Sequence, residues 1–384
     1  MGQDELFVRT WSRRRFVGAA AAGGTTALVV GCTGGMAGGP TVSGGRRPTV
    51  TPPPATEAAS RTDPAWPGPG GWQTVQPRDV GWDPVGLRAA LDFAASRGSR
   101  ALVLALDGSV LAEGRWGVGP AYRQDIASCQ KSVVAVLVGI AQQRGLLSIG
   151  DPVSRYLGSG WSNAGRLAER RITIRHLLTM TSGLTDSFDV EASPGTVWWY
   201  NSNAYHRLQA VLEKVARASI TDLSQRWLWD PIGVTSALWQ PRPGSGRYSV
   251  DPKGNRIWSL SMTAHDMGRF GLLVQRGGTW AGRPVVADSR YLADALSTSQ
   301  SLNPSYGYLW WLNGQKSYQL PNERTVRPGP LFPAAPADLV SALGAGDQKI
   351  YVSRDRRLVM TRLGSGGGAG FDNALWSKVL AAAP

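Results

Sequence analysis

The chain predicts an α+β fold: an antiparallel sheet built from strands near both ends, helices flanking it, and a mainly helical lobe inserted between its two halves. Three observations predict it. The run Ala101-Leu102-Val103-Leu104-Ala105-Leu106, the pair Asp107-Gly108 and the run Ser109-Val110-Leu111-Ala112 read as a hairpin early in the folded part. Lys349-Ile350-Tyr351-Val352 and Leu358-Val359-Met360-Thr361-Arg362-Leu363, joined through a polar turn at 353–357, read as a second hairpin late in the chain. Between them the apolar residues recur mostly at helical spacing. A length of 384 residues with 42% hydrophobic content is enough for one large domain or two modest ones.

The chain opens differently from everything after it. Ser12-Arg13-Arg14-Arg15-Phe16-Val17 precedes a weakly apolar Ala/Gly segment that ends in Val29-Val30-Gly31-Cys32. The paired arginines resemble a twin-arginine export signal, and a small residue before cysteine resembles a bacterial lipoprotein cleavage site. Residues 1–31 are therefore expected to be an export signal and Cys32 a lipidated residue. That lipid would tether the protein to the outer face of the cytoplasmic membrane, in the cell envelope. Residues 32–71, with Thr51-Pro52-Pro53-Pro54 and Trp66-Pro67-Gly68-Pro69-Gly70-Gly71, cannot bury enough apolar surface to order themselves and are expected to be a linker. Residues 72–384 are expected to be the folded domain, with the helical lobe at about 145–300.

Within it, Pro84 to Ser96 reads as a first helix, ahead of the hairpin at 101–112. The uniformly apolar Val133-Val134-Ala135-Val136-Leu137-Val138-Gly139-Ile140-Ala141 reads as a helix buried on most sides. Val153 to Leu157, Thr173 to a stop at Gly183, Tyr205 to Ala218 and Thr263 to Val274 continue the helical part, with Thr173 and Thr263 as caps. Phe371 to Ala382 closes the chain as a helix. No stretch of about 20 strongly apolar residues reads as an ordinary transmembrane helix.

The formal charge is +14, of which +12 lies after residue 31. The arginines are scattered and no nucleic-acid motif appears, so no nucleic-acid partner is expected; attraction to anionic envelope polymers or lipid headgroups fits better. Once Cys32 is set aside only Cys129 remains, which leaves no intramolecular disulfide. His176, His206 and His265 lie far apart and form no metal-ligand spacing. No metal and no cofactor are expected.

The chemistry is carried by Ser128-Cys129-Gln130-Lys131, at the mouth of the buried helix. Residues three apart share a helix face, so the Ser128 hydroxyl and the Lys131 amine meet there. Free backbone N–H groups and the positive end of the helix dipole favour an anion developing at that point. This is the geometry of a serine nucleophile with lysine as proton acceptor. One step along the helix turns Cys129 by about 100° away from Ser128, and no histidine pairs with it, so cysteine is not the expected nucleophile.

Further blocks occur in order. They are Asp151-Pro152-Val153-Ser154-Arg155-Tyr156-Leu157, Ile172 through Leu184, Pro194-Gly195-Thr196 leading to Tyr200, and Ser261 through Gly271. Tyr306-Gly307-Tyr308-Leu309-Trp310-Trp311 and Gly344 through Val352 complete the set. Together with Ser-x-x-Lys they make residues 80 to 380 resemble the serine hydrolase family of class C β-lactamases, DD-peptidases, related esterases and 6-aminohexanoate-dimer hydrolases. The resemblance implies a β-lactamase/transpeptidase-like fold, and Tyr200 as the phenol that works with Lys131. Tyr-x-Asn of the family falls at Tyr200-Asn201-Ser202, where Ser202 stands in the third place as a weaker donor to substrate.

The family's Lys-Thr-Gly or His-Thr-Gly has no literal copy. Gly344, Ala345, Gly346 and Gln348 resemble the glycine-rich strand start of the family's amide and ester hydrolases, which implies a backbone N–H beside that of Ser128 as an oxyanion donor. The absence of lysine or histidine there weighs against a dedicated β-lactamase. The expected activity is a serine hydrolase cleaving an ester or amide of a small-molecule or peptide-like substrate through an acyl-enzyme on Ser128. The alternatives are a β-lactamase or DD-peptidase proper, and a penicillin-recognising or cell-wall-binding protein without turnover. The tryptophans are expected mostly in the core, with Trp310-Trp311 as a wall of the cleft.

Overall fold

The computed structural model describes residues 65–68, 71–243 and 249–384. The expected export signal at 1–31, Cys32 and most of the expected linker lie outside the described residues. The elements that position the site are α1 (Pro84–Ser96), β1 (Ser99–Leu106), β2 (Ser109–Arg115), β3 (Arg123–Asp125), α2 (Cys129–Gln143), α3 (Ile174–Leu178) and α4 (Ser202–Ala216). They continue with β4 (Leu238–Pro241), β5 (Trp258–Thr263), α5 (Ala264–Gln275), β6 (Trp311–Leu312), β7 (Val340–Gly344), β8 (Gln348–Ser353), β9 (Leu358–Gly364) and α6 (Phe371–Ala381).

Six strands form an antiparallel sheet in the order β2-β1-β9-β8-β7-β6, so strands from both ends of the chain meet at the β1–β9 pair, where Leu104 faces Met360. Both expected hairpins are present. Helices α1 and α6 cover one face, where Leu87 and Leu91 meet Leu102, Leu104, Leu375 and Val379. Helix α5 covers the other: a side chain at Gly271 would meet Val359 Cγ1 at 2.6 Å and Ile350 Cγ2 at 3.2 Å, a clearance only glycine leaves. Helix α2 lies on that same face and is buried from Cys129 through Ala141, as its unbroken apolar run requires.

Three sequence expectations are corrected. The helix expected from Thr173 to Gly183 is capped by the Thr173 side chain as foreseen but ends at Leu178. Met180 then turns left-handed (φ 59°), and its carbonyl accepts from Trp199 N at 2.9 Å, so residues 179–200 form a loop instead of a further helical turn. The helical lobe also contains strands. In β5 Trp258, Leu260 and Met262 alternate with serines, and the strand pairs with β3 on one side and β4 on the other. Finally, the end of the expected linker is docked. Trp66 packs on Trp280 with ring centroids 5.1 Å apart, and the buried Arg269 donates to the carbonyls of Pro67 (2.8 Å) and Gly68 (2.9 Å).

Candidate active site

The segment joining β3 to α2 presents Ser128. Ile126 N donates to Leu260 O at 2.9 Å, which ties the segment to the small sheet, and the Asp125 carboxylate accepts from Ala127 N at 2.8 Å. That Asx turn holds Ala127 at φ 49°, a left-handed value costly for a residue with a Cβ. The strain sits directly before Ser128, which takes the N-cap place of α2 and is partly exposed. Burial pushes the Asp125 carboxyl up, against the Ala127 N–H and the Arg242 guanidinium, which lies 4.0 Å away and pulls it down.

Lys131 stands one turn into α2. Its Nζ donates to Ser128 Oγ at 2.9 Å, and the side chain is only 4% exposed. The ammonium lies 4.9 Å from the ring centre of Tyr200 and 4.8 Å from that of Tyr205. Two aromatic faces thus shelter the amine from water. Tyr200 is in turn held by stacking on Trp311 (6.1 Å, 21° between planes) and by the edge of Tyr306 at 6.2 Å. Trp198 packs against Tyr306 at 5.5 Å and Trp311 at 6.1 Å, completing an aromatic box. Of the expected wall pair, Trp311 serves the site, while Trp310 is wholly buried and stacks on Phe270 in the core.

The loop carrying Tyr200 is fixed by amides. Asn201 Oδ1 caps α4 at Ala204 N (2.8 Å), and its Nδ2 donates to the carbonyls of Leu184 (3.0 Å) and Thr185 (2.8 Å). Asn203 Nδ2 reaches Asp186 O at 2.7 Å. Ser202 lies between them, partly exposed, as the first residue of α4.

The turn between β7 and β8 closes the other side. A Cβ on Gly344 would lie 2.3 Å from Ile126 O and 3.3 Å from Ala127 Cβ, so the absence of a side chain lets this strand end press against the segment that presents Ser128. Ala345 is exposed, Gly346 is left-handed (φ 74°) and Asp347 follows it (φ 60°). Gln348, expected among the substrate-binding or oxyanion residues, turns its side chain to the backbone of the turn. It is buried, its Nε2 donates to Gly346 O (3.1 Å) and Gly364 O (2.7 Å), and its Oε1 accepts from Gly364 N (3.1 Å). Its amide is spent on the backbone that shapes the turn. Cys129 is fully buried with Sγ donating to the carbonyls of Ala342 (3.3 Å) and Gln348 (3.2 Å), and burial pushes its thiol far up. It stitches α2 to the sheet.

The model of the Beta-lactamase family matches residues 87–383, most of the described chain. The chain belongs to the β-lactamase family. Its fold is similar to that of a β-lactamase candidate from Bacteroides dorei (TM-score 0.61, 18% identity, 78% of this chain and 98% of that one). It is also similar to a 6-aminohexanoate-dimer hydrolase candidate from Bacillus anthracis (0.58, 15%, 81% and 86%). A third similar structure is a penicillin-binding-protein homologue from Caulobacter crescentus (0.59, 16%, 78% and 97%). At these identities the likeness establishes the β-lactamase/transpeptidase-like fold. An uncharacterized protein of Alkalihalophilus pseudofirmus is 23% identical over 207 residues, and the match spans 49% of this chain and 60% of that protein. Membership of the β-lactamase family is consistent with serine hydrolase activity in general.

Sequence reasoning missed Tyr205, the second ring on Lys131, and Asp125, which braces the strained turn. Tyr205 carried no local signal, since nothing in the sequence around it ties its ring to Lys131. Asp125 carried the Asx-turn pattern two residues before Ala127.

Proposed function

We propose that the protein hydrolyses an ester or amide through an acyl-enzyme on Ser128. The observation that carries this reading is the convergence of Ser128, Lys131 and Tyr200, a hydroxyl 2.9 Å from an amine that rests 4.9 Å from a phenol ring centre. The Ser128 oxygen attacks the substrate carbonyl while the Ser128 proton passes to the Lys131–Tyr200 pair. Tyr200, next to the Lys131 amine, carries the proton on to the leaving group, whose departure leaves the acyl-serine. Water then attacks the acyl carbon and gives up its own proton through Tyr200 and Lys131 to the departing Ser128 oxygen, which restores the hydroxyl as the acid is released.

The developing oxyanion is bound by the N–H of Ser128 and by backbone N–H from the turn at Gly344, Ala345 and Gly346. Ser202 donates to the substrate from the helix start beside Tyr200. The turn offers no lysine or histidine side chain, which favours neutral esters and amides over penicillins. Export on the twin-arginine-type signal and a lipid at Cys32 would place this activity in the cell envelope.

The test is incubation of the protein and of Ser128→Ala with a fluorophosphonate probe, a p-nitrophenyl ester and a fluorescent penicillin. The expected outcome is covalent probe labelling and ester turnover, both lost in the variant, with kcat lower by a factor on the order of 10⁴ or more. Stable penicillin labelling without turnover would replace this reading with a penicillin receptor. No reaction of the wild type with any of the three would reject an active serine.

A further inference from the structure

The turn that flanks Ser128 rests on a buried ionic network, on the sheet face opposite α2. Lys349 of β8 is 0% exposed, and its Nζ lies 3.1 Å from Asp347 Oδ1 and 3.0 Å from Asp372 Oδ1 of α6. The Tyr351 hydroxyl donates to the same Asp372 oxygen. Arg362, the cross-strand neighbour of Lys349, is also 0% exposed. Its guanidinium donates to Asp347 O, Arg97 O and Ser365 O, each at 2.8 Å, and to Ser99 Oγ at 2.7 Å.

Two cations and two carboxylates therefore balance inside the protein. Asp347 is gripped at every polar side-chain and carbonyl atom: Oδ1 by Lys349, Oδ2 by Gly367 N (2.6 Å) and the carbonyl by Arg362. A hairpin turn needs none of this to exist. Buried charges are expensive, and an apolar replacement of such a group is often no less stable, so stability alone accounts poorly for four of them. What the network does fix is the left-handed backbone of Gly346 and Asp347, next to the Gly344 contact on Ile126 and Ala127.

We infer that Asp347 and Lys349 are positioning residues for acyl transfer: their buried ion pair, anchored through Asp372 on α6, sets the orientation of the turn that supplies the second oxyanion donor. This inference rests on the reading of Ser128 as the nucleophile. A turn free to rotate would leave substrate binding nearly intact but misplace a donor that matters most as charge develops on the oxygen, and a misplacement of about 1 Å is enough to cost about 10²-fold in rate.

The test compares wild type, Asp347→Asn, Lys349→Arg and Tyr351→Phe on a p-nitrophenyl ester, with thermal unfolding of each. Asp347→Asn keeps the shape and removes one charge; Lys349→Arg keeps the charge and moves the donors, and serves where the first variant does not fold. Each is expected to lower kcat by about ten-fold or more with KM changed less than two-fold. Each is also expected to lose affinity for a phosphonate transition-state mimic in proportion to kcat. Tyr351→Phe removes a bond at the far end of the network and is expected to lower Tm while kcat stays within two-fold. Variants that lose Tm but keep kcat and phosphonate affinity would overturn the positioning role and leave the active serine standing. Wild type without Ser128-dependent turnover would overturn both.

Discussion

At the scale of single residues, the proposed chemistry turns on a lysine amine kept out of water between two phenol rings. If Lys131 is part of the proton acceptor proposed above, Lys131→Met is expected to slow fluorophosphonate labelling of Ser128 by a factor on the order of 10²–10⁴. Tyr200→Phe should behave differently, because in the proposed mechanism its hydroxyl is needed where the leaving group must be protonated. Its kcat is expected to fall far more with an alkyl ester or amide than with a p-nitrophenyl ester, whose phenolate departs unaided. Equal losses on both substrates would move the proton shuttle away from Tyr200. Ser128, Lys131 and Tyr200 were legible as neighbours because local spacing and ordered sequence blocks single them out. Tyr205 was not, since its ring reaches Lys131 only once the loop at 179–200 has folded back on itself. The partners of the Gln348 side chain were illegible for the complementary reason: a polar side chain beside a glycine-rich turn looks free in sequence, and only register shows Gly364 opposite it, taking both ends of the amide.

Secondary-structure elements meet at one crowded point, where the end of β7 touches the segment between β3 and α2. Gly344→Ala is expected to push a methyl against Ile126 O, which is backbone and has little room to yield. Overpacking of this kind costs about 1–3 kcal/mol. Because the displaced segment carries Ala127 and Ser128, kcat is expected to drop as well as Tm, and a variant with lowered Tm but wild-type kcat would show that the strand end yields instead. The hairpins, α1 and the Thr173 and Thr263 caps could be read from the chain, each being set by turn chemistry and periodicity within about fifteen residues. The end of α3 could not. Gly183 offered the next obvious stop, but Met180 O is claimed by Trp199 and Thr181 O by Gly195, nineteen and fourteen residues away in the chain. The alternation in β5 was likewise hidden by serines that are themselves buried.

Over the whole molecule, buried titratable groups set the pH range in which the fold holds. His206 is buried within α4 beside Tyr205, with Nδ1 3.2 Å from Gln209 Oε1; burial, and then the Lys131 charge, push its pKa well below the usual imidazole range. His176 shifts the same way through burial and Arg175, and its Nδ1 accepts from Thr173 N at 3.1 Å, a bond that protonation would break. The unfolded chain takes up protons on both near pH 6.5 while the folded chain does not, so stability falls as pH drops from about 6.5. A second loss belongs to Asp347, whose carboxyl burial raises but the Lys349 ammonium and the Gly367 N–H pull below its ordinary value. Its contribution is present above about pH 4 and disappears as pH falls through the folded value. Lys349 is pushed down by burial but held above its ordinary value by Asp372 and Asp347, so its contribution is complete below about pH 10 and is lost only in stronger alkali. Thermal unfolding between pH 3 and 11 is therefore expected to show a plateau from about 7 to 8.5, an alkaline decline above it because the Cys129 thiol ionises in the unfolded chain first, a gradual acid decline from about 6.5 and a steeper one below 4. His206→Gln should flatten the first acid decline and leave the second, whereas Asp347→Asn should lower the plateau and remove the second. A Tm that stays level from pH 7.5 to 5.0 in the wild type would mean that His206 and His176 are reached by water and are not buried neutral in the folded protein.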